Sequence, residues 1–222
     1  MSTAPTHAAM RHFEARDGEL IVGGQPLSRL AARIGQTPFY VYSRALLHER
    51  VAQLRAALPP EVSLHYAMKA NPMPALVQHM VGLVNGIDVA SAGELQLALD
   101  AGADPHEISF AGPGKRDPEL VQAVAAGVLV NVESARELPV LAAAARQLGV
   151  PARVALRVNP DFELKGSGMK MGGGPKQFGV DVEQVPGVLA EMKRLGLQFE
   201  GFHLFAGSQN LKAESICEAQ RK

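Results

Sequence analysis

What most constrains this chain is a rhythm: six short apolar runs, each parted from the next by a segment with helical spacing. The runs occupy residues 62–67, 86–90, 108–111, 128–132, 153–158 and 199–205. Near-continuous apolar strands alternating with helices predict a parallel sheet, because helices packed on its faces bury such strands. The punctuation agrees. Ser91-Ala92-Gly93-Glu94 and Ser134-Ala135-Arg136-Glu137 fit the capping box at a helix start. Asp117 stands as an N-cap before Pro118, and Gly102, Gly127, Gly149 and Gly196 stand where helices should end.

The fold class is therefore α/β, and the spacing is that of a (β/α)8 barrel of TIM type. A doubly wound open sheet is the rival. It usually carries a Gly-rich phosphate turn after its first strand, and here that turn reads Lys69-Ala70-Asn71-Pro72. Six strands are not eight, and the sequence stops inside what reads as the helix after strand six. The expectation is an incomplete barrel, as a fragment of a longer chain rather than a barrel closed by a partner. Upstream, Glu19-Leu20-Ile21-Val22 before Gly23-Gly24 reads as a strand and turn, and residues 27–34 as a helix ended by Gly35. Phe39-Tyr40-Val41-Tyr42 reads as another strand, and Ser43 as the N-cap of a helix over residues 44–58.

Charge excludes one class of function. Lys+Arg and Asp+Glu both number 22, without the basic excess of a nucleic-acid binder. No stretch approaches the ~20 apolar residues of a membrane helix, and the first 19 residues lack the apolar centre of a signal peptide. The single cysteine, Cys217, permits no intrachain disulfide and suits a reducing compartment; it reads as a small buried hydrophobe. A cytoplasmic protein is expected. The histidines show no metal-ligand spacing, so no metal is expected, and His65, inside the first strand, reads as structural.

In a barrel the reactive groups gather at the C-terminal ends of the strands. Those positions hold Lys69, then Asp88 and Ser91, Gly112 and Lys115, Glu133, Arg157 and Asn159, and finally His203, Gly207 and Ser208. A lysine beside apolar strand residues is expected to be desolvated, which favours the neutral amine that attacks an aldehyde. The plainer reading is a strand-end lysine with its ammonium in water. Gly207-Ser208 suits a phosphate oxygen, though Gly-Ser turns are common. Asp88 could simply cap a helix and Arg157 simply pair with a carboxylate. The glycine-rich stretch over residues 165–176 reads equally as a mobile lid or as an excursion without a role.

Taken in order, these motifs resemble a known family. Tyr66-Ala67-Met68-Lys69-Ala70-Asn71, Asp88-Val89-Ala90-Ser91-Ala92-Gly93-Glu94-Leu95, Gly112-Pro113-Gly114-Lys115, Asn131-Val132-Glu133-Ser134, Leu156-Arg157-Val158-Asn159-Pro160, Gln177-Phe178-Gly179-Val180 and Gly207-Ser208-Gln209 carry the likeness. The chain resembles the pyridoxal phosphate (PLP) dependent decarboxylases of diaminopimelate, ornithine and arginine, built on an alanine-racemase-like barrel. Diaminopimelate decarboxylase is the nearest in kind. Met169-Lys170-Met171-Gly172-Gly173-Gly174 and Phe205-Ala206-Gly207-Ser208-Gln209-Asn210 are similar to the branch associated with exosortase and exopolysaccharide gene clusters.

The resemblance implies that Lys69 carries PLP as a Schiff base, and that Gly207 and Ser208 contact its phosphate. It places Asp88, Arg157 and His203 near the cofactor. The family pattern His-x-His-x-Gly-Ser stands here as His203-Leu204-Phe205-Ala206-Gly207-Ser208. Phe205 thus replaces the histidine laid over the pyridine ring; a phenyl ring can stack there but donates no hydrogen bond. Residues 1–37 would contribute to a β-domain and residues 38–222 form the barrel, with the acidic partner of the pyridine nitrogen and a dimer-contributed cysteine lying beyond Lys222. The implied protein is a homodimeric, diaminopimelate decarboxylase-like enzyme acting on an amino acid. The alternatives are a non-catalytic PLP-binding homologue, or a fragment inactive by itself.

Overall fold

In the computed structural model, which describes residues 12–162, 169–170, 176–205, 207–208 and 212–222, contacts divide the chain into Met1–Val62 and Ser63–Lys222. The sequence reading divides it at residue 37. The first unit is a small antiparallel meander of β1 (Glu14–Arg16), β2 (Glu19–Val22) and β3 (Gln25–Pro26), followed by α1 (Leu27–Ile34) and α2 (Arg44–Ala57). Gly23 and Gly24 both have positive φ, 57° and 75°, the geometry of the two-residue turn that matches strand twist. Residues 39–42 correct an expectation: they form no strand, and Tyr40 is 89% exposed. Aromatic and β-branched residues favour an extended chain, but a strand also needs a partner, and none pairs with them among the described residues.

The second unit holds all six expected strands: β4 (His65–Ala67), β5 (Gly86–Val89), β6 (Ile108–Phe110), β7 (Leu129–Val132), β8 (Arg153–Asn159) and, after two short strands, β11 (Gln198–Leu204). Those short strands are β9 (Met169–Lys170) and β10 (Val180–Asp181), and β12 (Gly207–Ser208) follows β11. The six are parallel and lie side by side in chain order, β4-β5-β6-β7-β8-β11. Chain order settles the architecture. A doubly wound sheet reverses direction at a switch point, whereas the wall of a barrel adds each strand beside the last. Among the described residues the sheet runs from β4 to β8, and both the two-residue β10 and β11 pair with β8 in parallel, where a closed barrel of this type has eight strands.

Helices α3 (Pro74–Val81), α4 (Ala92–Asp100), α5 (Asp117–Ala126), α6 (Glu137–Leu148) and α7 (Val185–Leu195) separate the strands, and α8 (Ala213–Arg221) comes last. Gly127, Gly149 and Gly196 end α5, α6 and α7 in the left-handed conformation, as predicted. The core lies between sheet and helices: Ile87, Val89, Phe110, Val130, Val154 and Leu156 pack with Leu95, Leu120, Leu141 and Met192. Burying each such side chain contributes roughly 1.5–3 kcal/mol.

Because side chains alternate across a strand, the register fixes which residues share the opposite, inner face. Ala67 pairs with Asp88, Asp88 with Ser109, Ser109 with Leu129, Asn131 with Ala155, and Arg157 with His203. The inner face is therefore polar where the outer one is apolar.

Three local expectations shift. Helix α5 starts at Asp117 itself, with Glu119 accepting from the Arg116 N–H at 3.0 Å, while Asp117 pairs with Arg136 at 2.7 Å. Helix α6 starts at Glu137, not beside Ser134. Cys217 is exposed, because α8 buries none of its residues. Among the described residues no helix is long and apolar enough to cross a membrane.

Candidate active site

Strand β4 ends in a single 3-10 turn, Met68–Ala70, that carries Lys69. Met68 is fully buried and pins the turn to the core. Asn71, ahead of Pro72, is held extended as a residue before proline must be. The Tyr66 hydroxyl donates to the Asn71 carbonyl at 3.0 Å, and the Asn71 N–H donates to Met68 O at 3.0 Å. Lys69 thus stands on a braced turn at a strand end. It is exposed, which corrects the expected desolvation.

Asp88, on the inner face of β5, accepts from His65 Nδ1 at 3.1 Å. That bond, with the Asp88 charge, raises the His65 pKa above its ordinary value against the opposing effect of burial. His65 therefore stands beside Asp88 on the inner face of the sheet. Two residues before Ala67 on an alternating strand, it had to share the Asp88 face; only the register names its partner.

Deeper in the mouth lies a buried set of two cations and two carboxylates. Glu133 Oε1 accepts from the Gly112 N–H at 2.5 Å and from Arg157 Nη1 at 3.4 Å. Lys115 Nζ sits 3.1 Å from Glu137 Oε1 and donates to the carbonyls of Gly112 at 2.5 Å and Asn131 at 2.9 Å. Glu137 Oε2 accepts from the Glu133 N–H at 2.9 Å. Burial raises the Glu137 pKa despite Lys115 beside it. The Arg157 guanidinium lies 4.9 Å from the Phe178 ring centre and 5.7 Å from that of Phe205, within cation–π range. Glu137 and Phe178 are partners the sequence did not reveal.

His203 faces this set from β11. Burial lowers its pKa, Arg157 adds to the lowering with Lys115, and Glu133 and Asp88 oppose it. Arg157 and His203 are register partners on β8 and β11 and Arg157 reaches Glu133 at the end of β7, so these strand ends meet. Among the described residues its Nδ1 and Glu133 Oε2 are buried without a hydrogen-bond partner.

Gly207 and Ser208 pair antiparallel with Lys170 and Met169. Otherwise the glycine-rich stretch, apart from Lys176, lies outside the described residues. A cavity of about 640 Å³ is lined by Val158, Pro160, Leu204, Phe205, Gly207 and Ser208 among others. It includes Gly207 and Ser208 but does not reach Lys69, Asp88, Arg157 or His203.

The two histidines should titrate apart. His65, with its raised pKa, adds stability that is complete below about 6.5 and is lost as pH rises through its folded value. His203, with its lowered pKa, adds stability present above about 6.5 and lost as pH falls through its folded value. Imidazole proton shifts followed by NMR should give midpoints on opposite sides of about 6.5.

The family profile described as "Pyridoxal-dependent decarboxylase, pyridoxal binding domain" matches residues 44–222. The chain belongs to this family. It is 42% identical over 218 residues to a diaminopimelate decarboxylase of Aquifex aeolicus (strain VF5), covering 95% of this chain and 50% of that relative. It is 37% identical over 188 residues to the L-glutamyl-[BtrI acyl-carrier protein] decarboxylase of Niallia circulans, covering 84% of this chain and 44% of that relative. A crystal structure of diaminopimelate decarboxylase from M. jannaschii, in complex with L-lysine, superposes with a TM-score of 0.84 at 28% identity, covering 96% of this chain and 51% of that one. The chain therefore spans about half the length of the relatives it matches, and the barrel is of the alanine-racemase-like type expected.

The cofactor of this family is PLP. The residue types present suit it: an exposed primary amine on Lys69 and, lining the separate cavity, a hydroxyl on Ser208.

Proposed function

We propose that this chain is the cofactor-binding part of a PLP-dependent amino-acid decarboxylase with diaminopimelate as its substrate. The observation that carries the reading is Lys69: an exposed amine on a turn braced from both sides, at the end of the strand beside Asp88. Lys69 would hold the cofactor covalently, Gly207 and Ser208 its phosphate, and Asp88, Arg157, His203 and Phe205 would line it. When bound, PLP supplies the electron sink that lets a carboxylate leave as carbon dioxide.

The protein's own part is positioning. Glu133 and the two phenyl rings fix the Arg157 guanidinium, so its charge stays in one place. Lys115 and Glu137 hold the Gly112 and Glu133 backbones that carry this arrangement. His203, kept neutral by burial, presents an imidazole with no added charge. Residues 1–37 are assigned to a β-domain and residues 38–222 to the barrel, and the whole protein to a cytoplasmic homodimer. Support for the substrate comes from the name of the 42% identical relative.

The test is carbon dioxide release by the whole protein from diaminopimelate, ornithine, lysine, arginine and a carrier-protein-linked amino acid. Release fastest from diaminopimelate is expected. Release from none, with PLP bound, supports a non-catalytic homologue, a reading favoured by Phe205 where the family has histidine. The 222-residue chain alone is expected to show no turnover.

A further inference from the structure

Gly86 faces His65 in register across β4 and β5. A Cβ at Gly86 would lie 2.5 Å from His65 Cε1 and 2.7 Å from Nε2, and would also collide with the Glu107 carbonyl oxygen. The imidazole therefore lies against bare backbone, in space that only glycine leaves. From that seat Nδ1 reaches Asp88 Oδ1 at 3.1 Å. The His65 side chain is 27% exposed and that of Asp88 44%, so the bond stands at the edge of the mouth rather than in the core.

We propose that His65 is a positioning residue that acts through Asp88, fixing its carboxylate and cancelling its charge where the cofactor attaches. The proposal rests on the reading that this mouth holds PLP on Lys69. Lys69 follows two residues after Ala67, the register partner of Asp88. An uncompensated carboxylate so placed would favour a proton on any basic group at the mouth. The couple with a protonated imidazole is neutral overall. The other charges that bear on His65 and Asp88 are Glu107, ahead of β6, which also favours the imidazolium, and His203 on β11, which feels Asp88. A merely packed histidine would not need the bond, and its loss would leave the cofactor untouched.

The experiment uses the whole protein, stripped of cofactor and given PLP over a range of pH. Condensation of the Lys69 amine with the cofactor aldehyde releases one water and requires the unprotonated amine, so uptake rises with pH. In His65→Gln and His65→Phe the midpoint of that rise is expected to move up, because a nearby carboxylate left without its imidazolium partner favours the protonated amine. In an Asp88→Asn background the same His65 substitutions should add nothing, because their effect passes through the carboxylate. By NMR, Asp88→Asn should also bring the His65 midpoint down toward its ordinary value of about 6.5. Unchanged uptake midpoints in both His65 variants, or a shift that persists without Asp88, overturn the inference. An unaltered protein that takes up no PLP on Lys69, judged by mass after borohydride reduction, overturns the cofactor reading instead.

Discussion

Lys69→Ala in the whole protein should abolish the visible absorption of bound cofactor and the mass added by borohydride reduction. Carbon dioxide release should fall on the order of 10³-fold or more, the scale seen when a covalent catalytic group is removed. The loss should come without unfolding. Lys69 is exposed and the turn beneath it is held by Met68, Tyr66 and Asn71, none of which the substitution alters. Exposed substitutions of this kind change stability by about 0.5 kcal/mol or less. Lys69→Arg should behave alike, since a guanidinium keeps its proton and cannot attack an aldehyde. A thermal unfolding scan beside the spectrum separates a missing amine from a missing fold. A full visible band in Lys69→Ala would remove the basis of the proposed function.

Much of this site was legible in the sequence because barrel geometry turns strand ends into neighbours. Asp88, Arg157 and His203 could be placed on one mouth from strand positions alone, and their shared inner face is what the register shows. What stayed hidden depended on partner choice. The pattern Ser-x-x-Glu occurs twice with different outcomes. At Ser91 the hydroxyl accepts from the Glu94 N–H at 3.2 Å, a local bond readable from local sequence. At Ser134 the glutamate three residues on, Glu137, is drawn into the interior by Lys115 and accepts from Glu133 instead. A capping box is a contest between near and far partners, and only the fold supplies the far ones. His65 failed to signal itself for the same reason: its meaning lies in Gly86 and Asp88, more than twenty residues along. The exposure of Lys69 was illegible too, because it depends on what else covers the mouth.

The buried pair beside that mouth yields the largest expected effect on stability. Lys115→Met leaves Glu137 without its cation at a site where both side chains are almost wholly inaccessible, 1% and 2% exposed. Breaking such a pair by removing one partner costs about 3–5 kcal/mol, because an uncompensated charge remains inside. The surface pair of Arg136 and Asp117 has a shorter contact, 2.7 Å, yet both side chains are more than half exposed. Its loss should cost about 1 kcal/mol or less. Burial, not distance, decides between them. The pH dependence identifies the mechanism. The Glu137 pKa is already raised by burial, so its contribution to stability is complete below the ordinary glutamate value and is lost as pH rises through the folded one. Removing Lys115 raises the folded value further and widens that window. Urea unfolding should therefore show Lys115→Met close to the parent under acid conditions and far below it at neutral pH. Adding Glu137→Leu should recover most of the loss, since two apolar side chains of similar volume replace a buried ion pair at little cost. A deficit that is the same at every pH, and unrelieved in the double variant, would mean that Lys115 stabilises through its bonds to the Gly112 and Asn131 carbonyls rather than through Glu137.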